Sequence, residues 1–157
     1  MMGYIFFYFS LFGVLVSLII CLYFKPLDLK KSVIGIISVA YSMVFETVLG
    51  SYYKLYYYLN PQDSMIYIVI AAIFIYPVLN IIYTMFLPKS KKAVLGYTLV
   101  WIIAMLIFEY LSVIFGTIVF TGWNPVPWSL VTYIFTYLWV YLTYRYLSKK
   151  RLPLKLY

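Results

Sequence analysis

The sequence predicts an all-α, polytopic membrane protein. It reads as one domain over residues 1–157, a bundle of five transmembrane helices with its N-terminus outside and its C-terminus cytoplasmic. Three observations lead there. The chain is 66% hydrophobic and only 10% charged, with mean hydropathy +0.98, whereas soluble domains carry roughly a quarter charged residues. It divides into five apolar stretches, each about the 20 residues that cross a hydrocarbon core of about 30 Å. The basic residues between those stretches alternate strictly from one side to the other.

The first stretch, residues 3–24, stops at Lys25-Pro26. It lacks a basic leader and a small-residue cleavage site, so it reads as a retained helix and not a signal peptide. The loop Lys25-Pro-Leu-Asp-Leu-Lys-Lys-Ser32 carries three lysines. A second helix over residues 33–57 then turns at Asn60-Pro61-Gln62-Asp63-Ser64. A third over 65–87 carries Pro77 near its centre, which frees the Ile73 carbonyl and predicts a kink. Pro88 opens a loop with Lys89, Lys91 and Lys92. A fourth helix over 93–120 leads into Thr121-Gly-Trp-Asn-Pro-Val-Pro127, and a fifth covers 128–147. Lys and Arg outside the spans number none, three, none, three, none and four in this order. The positive-inside bias produces that alternation for an odd number of spans with the N-terminus outside.

Charge placement also separates function classes. The net charge of +8 falls in short clusters beside apolar stretches, a pattern that matches topology and anionic headgroups and gives no reason to expect nucleic acid. The tail from Ser148 to Lys155 is expected to lie against anionic lipid. With no His and with Cys21 alone, neither a metal site nor a cofactor is expected. No phosphate loop, nucleophile elbow or His-based acid–base pair is present, so the chain reads as non-enzymatic.

Glu46 and Glu109 are the only acidic residues inside the spans. Counted along their helices, they lie roughly 20 Å and 24 Å from the cytoplasmic ends of two parallel spans. Both are therefore expected beyond the midplane at similar depth. An ionised carboxylate there costs several kcal/mol unless it is paired. Glu46 shares a small, polar ridge with Gly35, Ser38, Ser42 and Gly50; Glu109 precedes Ser112 and Gly116 by three and seven residues. Small residues permit close helix approach, so both ridges are expected to face protein. Either each Glu is held by a neighbouring Tyr or Ser, or the two form a proton, cation or ligand site. Residues placed in that candidate site are Glu46, Glu109, Ser42, Ser112, Tyr76, Asn80, Thr132 and Thr136. Tyr76 and Asn80 cluster beside the Pro77 kink. Thr132 and Thr136 belong to a hydroxyl stripe with Ser129 and Thr143, beside a tyrosine stripe at 133, 137, 141 and 144. Such stripes suit interhelical hydrogen bonds, the reading preferred here, or the lining of a polar cavity. Trp123 and Trp128 flank the last turn and read as interfacial anchors. Lys54 is expected to snorkel outward.

Phe45-Glu46 precedes Asn60-Pro61 much as Phe108-Glu109 precedes Asn124-Pro125, at offsets of 63 and 64 residues. Some transporters use parallel repeats of this kind, but four matched residues are also what coincidence delivers.

The stretch from Phe108 to Arg145 also carries a resemblance. A Glu in the fourth helix is followed by Gly122-Trp123, by Trp128-Ser129 opening a Tyr-rich last helix, and by Tyr144-Arg145-Tyr146. This pattern resembles the C-terminal half of a family of small, uncharacterised five-helix membrane proteins of low-GC Gram-positive, largely spore-forming bacteria. The resemblance covers about a quarter of the chain. It implies a multi-pass protein of a bacterial cell membrane and no particular chemistry. The expected function is that of a subunit or interaction partner in an envelope assembly, its partners being the bilayer and either another membrane protein or further copies of itself. The alternative is a small transporter or membrane ligand-binding module that uses Glu46 and Glu109.

Overall fold

A computed structural model describes residues 1–149. Of the described residues, 79% are helical. Helix α1 runs Met2–Phe24 and α2 runs Leu29–Glu46, the latter continuing as a π-helical turn over Thr47–Tyr52. A short strand β1, Tyr56–Tyr58, precedes a rod made of α3 (Ser64–Ile70), a π-helical segment (Ala71–Ile75) and α4 (Tyr76–Met85). Helix α5, Lys91–Ile114, leads through strand β2, Ile118–Phe120, to α6, Pro125–Lys149. Four of these rods are long and apolar enough to cross a membrane: Met2–Phe24, Leu29–Tyr52, Ser64–Met85 and Lys91–Ile114. In α6, Tyr, Trp and Thr replace many aliphatic residues and lower the hydropathy. Its regular helix begins after Val126, whose backbone is extended (φ −115°, ψ 113°), and the tail beyond residue 149 lies outside the described residues.

Local chemistry accounts for the ends. The Asp28 side chain caps α2 by accepting the Lys31 backbone N–H at 2.9 Å, which satisfies one of the free amides of a helix start. Lys25 Nζ donates to the Met85 carbonyl at 2.9 Å and lies 4.7 Å from the Phe86 ring centre. One ammonium thus ties the end of α1 to the end of α4 and meets an unpaired terminal carbonyl. Pro77 has no N–H and would collide with the Ile73 carbonyl in a regular helix. The wide turn just before it, closed by the Tyr76 N–H on the Ala71 carbonyl, makes the room, as π-bulges do.

The expected ends of the second and fourth helices are corrected. The second does not reach residue 57, nor the fourth residue 120. Instead β1 and β2 pair antiparallel, with Tyr56 opposite Phe120, Tyr57 opposite Val119 and Tyr58 opposite Ile118. Two strands alone are marginal, and these are pinned at both ends. The Leu55 carbonyl accepts the backbone N–H groups of Thr121, Gly122 and Trp123 at 2.9–3.0 Å, and Leu59 N–H donates to the Thr117 carbonyl at 3.0 Å. The Tyr58 N–H donates to Ser64 Oγ at 2.9 Å, Thr117 Oγ1 donates to the Gly3 carbonyl at 3.0 Å, and Thr121 Oγ1 donates to the Lys54 carbonyl. Backbone groups that leave a helix in an apolar setting must find such partners. The chain turns into this ribbon through positive φ at Lys54 (53°), Leu59 (58°) and Gly116 (74°). Lys54 therefore sits in a loop and not within a helix. Gly3 packs so tightly beneath the ribbon that a Cβ there would lie 2.6 Å from the Gly116 carbonyl oxygen.

Two buried clusters hold the rods together. One, beneath the ribbon, joins Phe7, Tyr56, Tyr58, Ile68, Ala71 and Ile75. The other, nearer the opposite end, joins Ile34, Tyr83, Ile102, Met105, Tyr137 and Val140. Helix α2 meets α4 closely because Gly35 leaves room for Ile81. Tyr76, Leu79 and Phe108 pack against both clusters, and the candidate site lies at their level.

Candidate functional site

The two carboxylates line one cavity of about 90 Å³. Helix α2 contributes Ser42 and Glu46, α4 contributes Tyr76 and Asn80, and α5 contributes Met105 and Glu109. Helix α6 adds Ser129, Thr132, Tyr133 and Thr136, and the ribbon adds Tyr56, Tyr58, Ile118 and Phe120 as its roof. Glu46 is the last residue of the regular part of α2, and Glu109 stands five residues before the end of α5. Both therefore sit close under the ribbon. Both carboxylates face the same hollow.

Each acid also has a hydroxyl cap. Glu46 is buried and accepts a hydrogen bond from the Tyr56 hydroxyl at 2.9 Å. The hydroxyls of Tyr76 and Tyr58 share a hydrogen bond with each other at 2.6 Å, and both residues line the same cavity. Glu109 accepts from Ser129 Oγ and from the Tyr133 hydroxyl, both at 2.5 Å, and Trp123 Nε1 donates to Ser129 Oγ at 2.8 Å. These donors replace part of the water that each carboxylate loses. No Lys or Arg lines the cavity, so two acids share it without a cationic partner among the described residues. The pair is no metal cage by count, since no three of His, Cys, Asp and Glu come together among the described residues.

Seven of the eight expected site residues line this cavity: Glu46, Glu109, Ser42, Tyr76, Asn80, Thr132 and Thr136. The eighth is placed elsewhere. Ser112 Oγ donates to the Phe108 carbonyl of its own helix at 2.8 Å, the local bond a helical serine makes when no better acceptor faces it. The hydroxyl stripe of α6 divides. Ser129 makes side-chain hydrogen bonds, one of them to Glu109 on α5, whereas Thr132 and Thr136 line the cavity, so both uses weighed for the stripe occur in it. Trp123 is more than an interfacial anchor, because its indole N–H holds the serine that caps Glu109. Trp128 is over half exposed and packs at 6.3 Å from the Trp123 ring.

Sequence reasoning passed over the roof, Tyr56 and Tyr58, and placed Tyr133 in the tyrosine stripe without pairing it to Glu109. The triplet Tyr56-Tyr57-Tyr58 just before Leu59-Asn60-Pro61 is a strand-like run bounded by a turn, and Ile118-Val119-Phe120 after Gly116 is its counterpart. Ser129 and Tyr133 are four apart on one helix, the spacing that lets two side chains reach one carboxylate. No family model, curated protein or solved structure matches this chain.

Proposed function

We propose that this chain is a multi-pass protein of a bacterial cell membrane whose Glu46–Glu109 cavity binds a cationic ligand. It would serve as a small transporter or a membrane ligand-binding module and catalyse no reaction. One observation carries the reading: two carboxylates from parallel helices line one cavity that no basic side chain enters. Holding two like charges together out of water is costly unless something positive, a proton included, joins them. A structural role for the acids would be served by one Glu and its cap; it gives no reason to bring the second to the same hollow.

In this reading α6 is a fifth span. The N-terminus and the ribbon lie outside, and the loops with Lys30 and Lys91 lie in the cytoplasm. The lysine-bearing loops support that orientation even though Lys54 joins the ribbon side. The parallel-repeat idea gains a further element, because each half now reads as helix, Glu, strand, Asn-Pro, helix, with the two strands paired to each other. The subunit role expected at first is the alternative reading, in which the exposed apolar faces would also carry contacts to a membrane partner.

Methylammonium is the simplest probe of the site. Saturable binding to the protein in lipid nanodiscs is expected, with a loss of about tenfold or more in Glu46→Gln and in Glu109→Gln. Unchanged binding in both variants would overturn the reading.

A further inference from the structure

A second hollow shares part of the cavity's wall. Between α2 and α6 lies a second, larger hollow of about 490 Å³, bounded by Leu49, Leu55, Trp128, Val131 and Phe135. Tyr41, Phe45, Trp123 and Thr132 border both hollows, so the two adjoin across these four side chains. Trp128 and Phe135 stand more than half exposed. The larger hollow is thus a recess on the flank of the bundle, where a bilayer would cover it.

The two spaces differ in chemistry and in size. The inner one offers acceptors. Besides the carboxylates there is Ser42, more than nine-tenths buried and without a hydrogen-bond partner among the described residues, and the side-chain carbonyl of Asn80, whose amide nitrogen is already committed to Ser38 Oγ at 3.1 Å. A primary ammonium has three N–H donors and no acceptor, the complement of that set. A cavity of about 150 Å³ holds a benzene ring, so one of about 90 Å³ holds an ammonium with its first methylenes and little more. The recess carries no charge and is walled by aliphatic and aromatic groups, as an alkyl chain requires. At the threshold, Tyr41, Phe45 and Trp123 present aromatic rings, which attract a cation. A headgroup with a phosphate would bring a third anion beside the two acids, where repulsion in a low dielectric is strong.

We infer that the ligand is an amphipathic primary amine with one ammonium, no anionic group and a long apolar tail. Its ammonium lies between Glu46 and Glu109 and its tail in the α2–α6 recess, which it enters sideways from the bilayer. This inference rests on the cation-binding reading of the cavity and adds the tail and the route.

The test uses the full chain in phosphatidylcholine nanodiscs, with radiolabelled dodecylamine as probe and empty discs as background. Saturable binding is expected. Methylamine should compete about tenfold or more less tightly, and dodecanol should not compete, because the tail adds packing contacts in the recess only once the ammonium is seated. Val131→Trp fills the recess without touching the inner cavity. It should lower dodecylamine affinity about tenfold or more and leave methylamine binding unchanged, which also reports that the variant is folded. If dodecylamine and methylamine bind equally well, or if Val131→Trp leaves dodecylamine binding intact, the tail and route are wrong while the carboxylate site stands. If neither amine binds saturably, or if both bind as well to Glu46→Gln and Glu109→Gln, the underlying reading falls with them.

Discussion

Glu46 and Glu109 solve the same problem with different means. Glu46 takes its hydrogen bond from Tyr56 on the ribbon, while Glu109 takes two from successive turns of α6. The Tyr56 hydroxyl is thus the one strong cap on Glu46, and its loss leaves a buried carboxylate oxygen unpaired. Tyr56→Phe should cost about 1–3 kcal/mol, read as a lowered unfolding free energy in detergent; a variant as stable as the parent would show that Tyr56 is not needed as a cap. Much of this scale was legible in the sequence. Two acids alone in long apolar helices, each on a small-residue ridge, already mark inward-facing groups. What their spacing could not reveal was the partner of each, because the capping residues come from elements 10 and 20–24 residues away whose geometry depends on the ribbon. Ser112 misled for a related reason: helical spacing places it on the Glu109 ridge, yet its hydroxyl is satisfied by its own helix.

The ribbon is the element that makes the site. It closes the top of the cavity, supplies Tyr56 and Tyr58, and ends in the turn that delivers Trp123 to Ser129. Its fit depends on Gly116, at φ 74°, and on the contact with Gly3. Gly116→Ala should destabilise by about 1–2 kcal/mol because a Cβ disfavours the left-handed region. Gly3→Ala should cost about 1–3 kcal/mol by overpacking against the Gly116 carbonyl. Thermal midpoints in detergent measure both, and neutral substitutions would mean that the ribbon is not seated as described. The strands escaped the sequence reading because Tyr and Val-rich triplets at the end of an apolar run are equally good continuations of a membrane helix. Hydrophobic periodicity separates strand from helix only over longer windows. Pro77, by contrast, marked an interruption of the regular α-helix, and the π-helical segment before it is the form that the interruption takes.

At the scale of the whole molecule, the long apolar stretches were legible from composition and order alone, and four of the helices they form are long and apolar enough to cross a membrane. The weakest rod by hydropathy, α6, carries half of the cavity's hydroxyl-bearing side chains, more than any other element, so the features that dilute its apolar signal are those that build the site. The proposed orientation is open to a direct check. In a Cys21→Ser background, Asp63→Cys should react with an impermeant maleimide in intact cells and Lys91→Cys only after permeabilisation; the opposite pattern would invert the topology. The central claim is that Glu46 and Glu109 act on one ligand in one cavity. A double-mutant cycle on methylammonium binding in nanodiscs tests it most directly, with Glu46→Gln, Glu109→Gln and the double variant. A shared site predicts that each single substitution costs nearly as much as both together, leaving a coupling energy of about 0.5–3 kcal/mol. Strictly additive losses, or no loss at all, would contradict it.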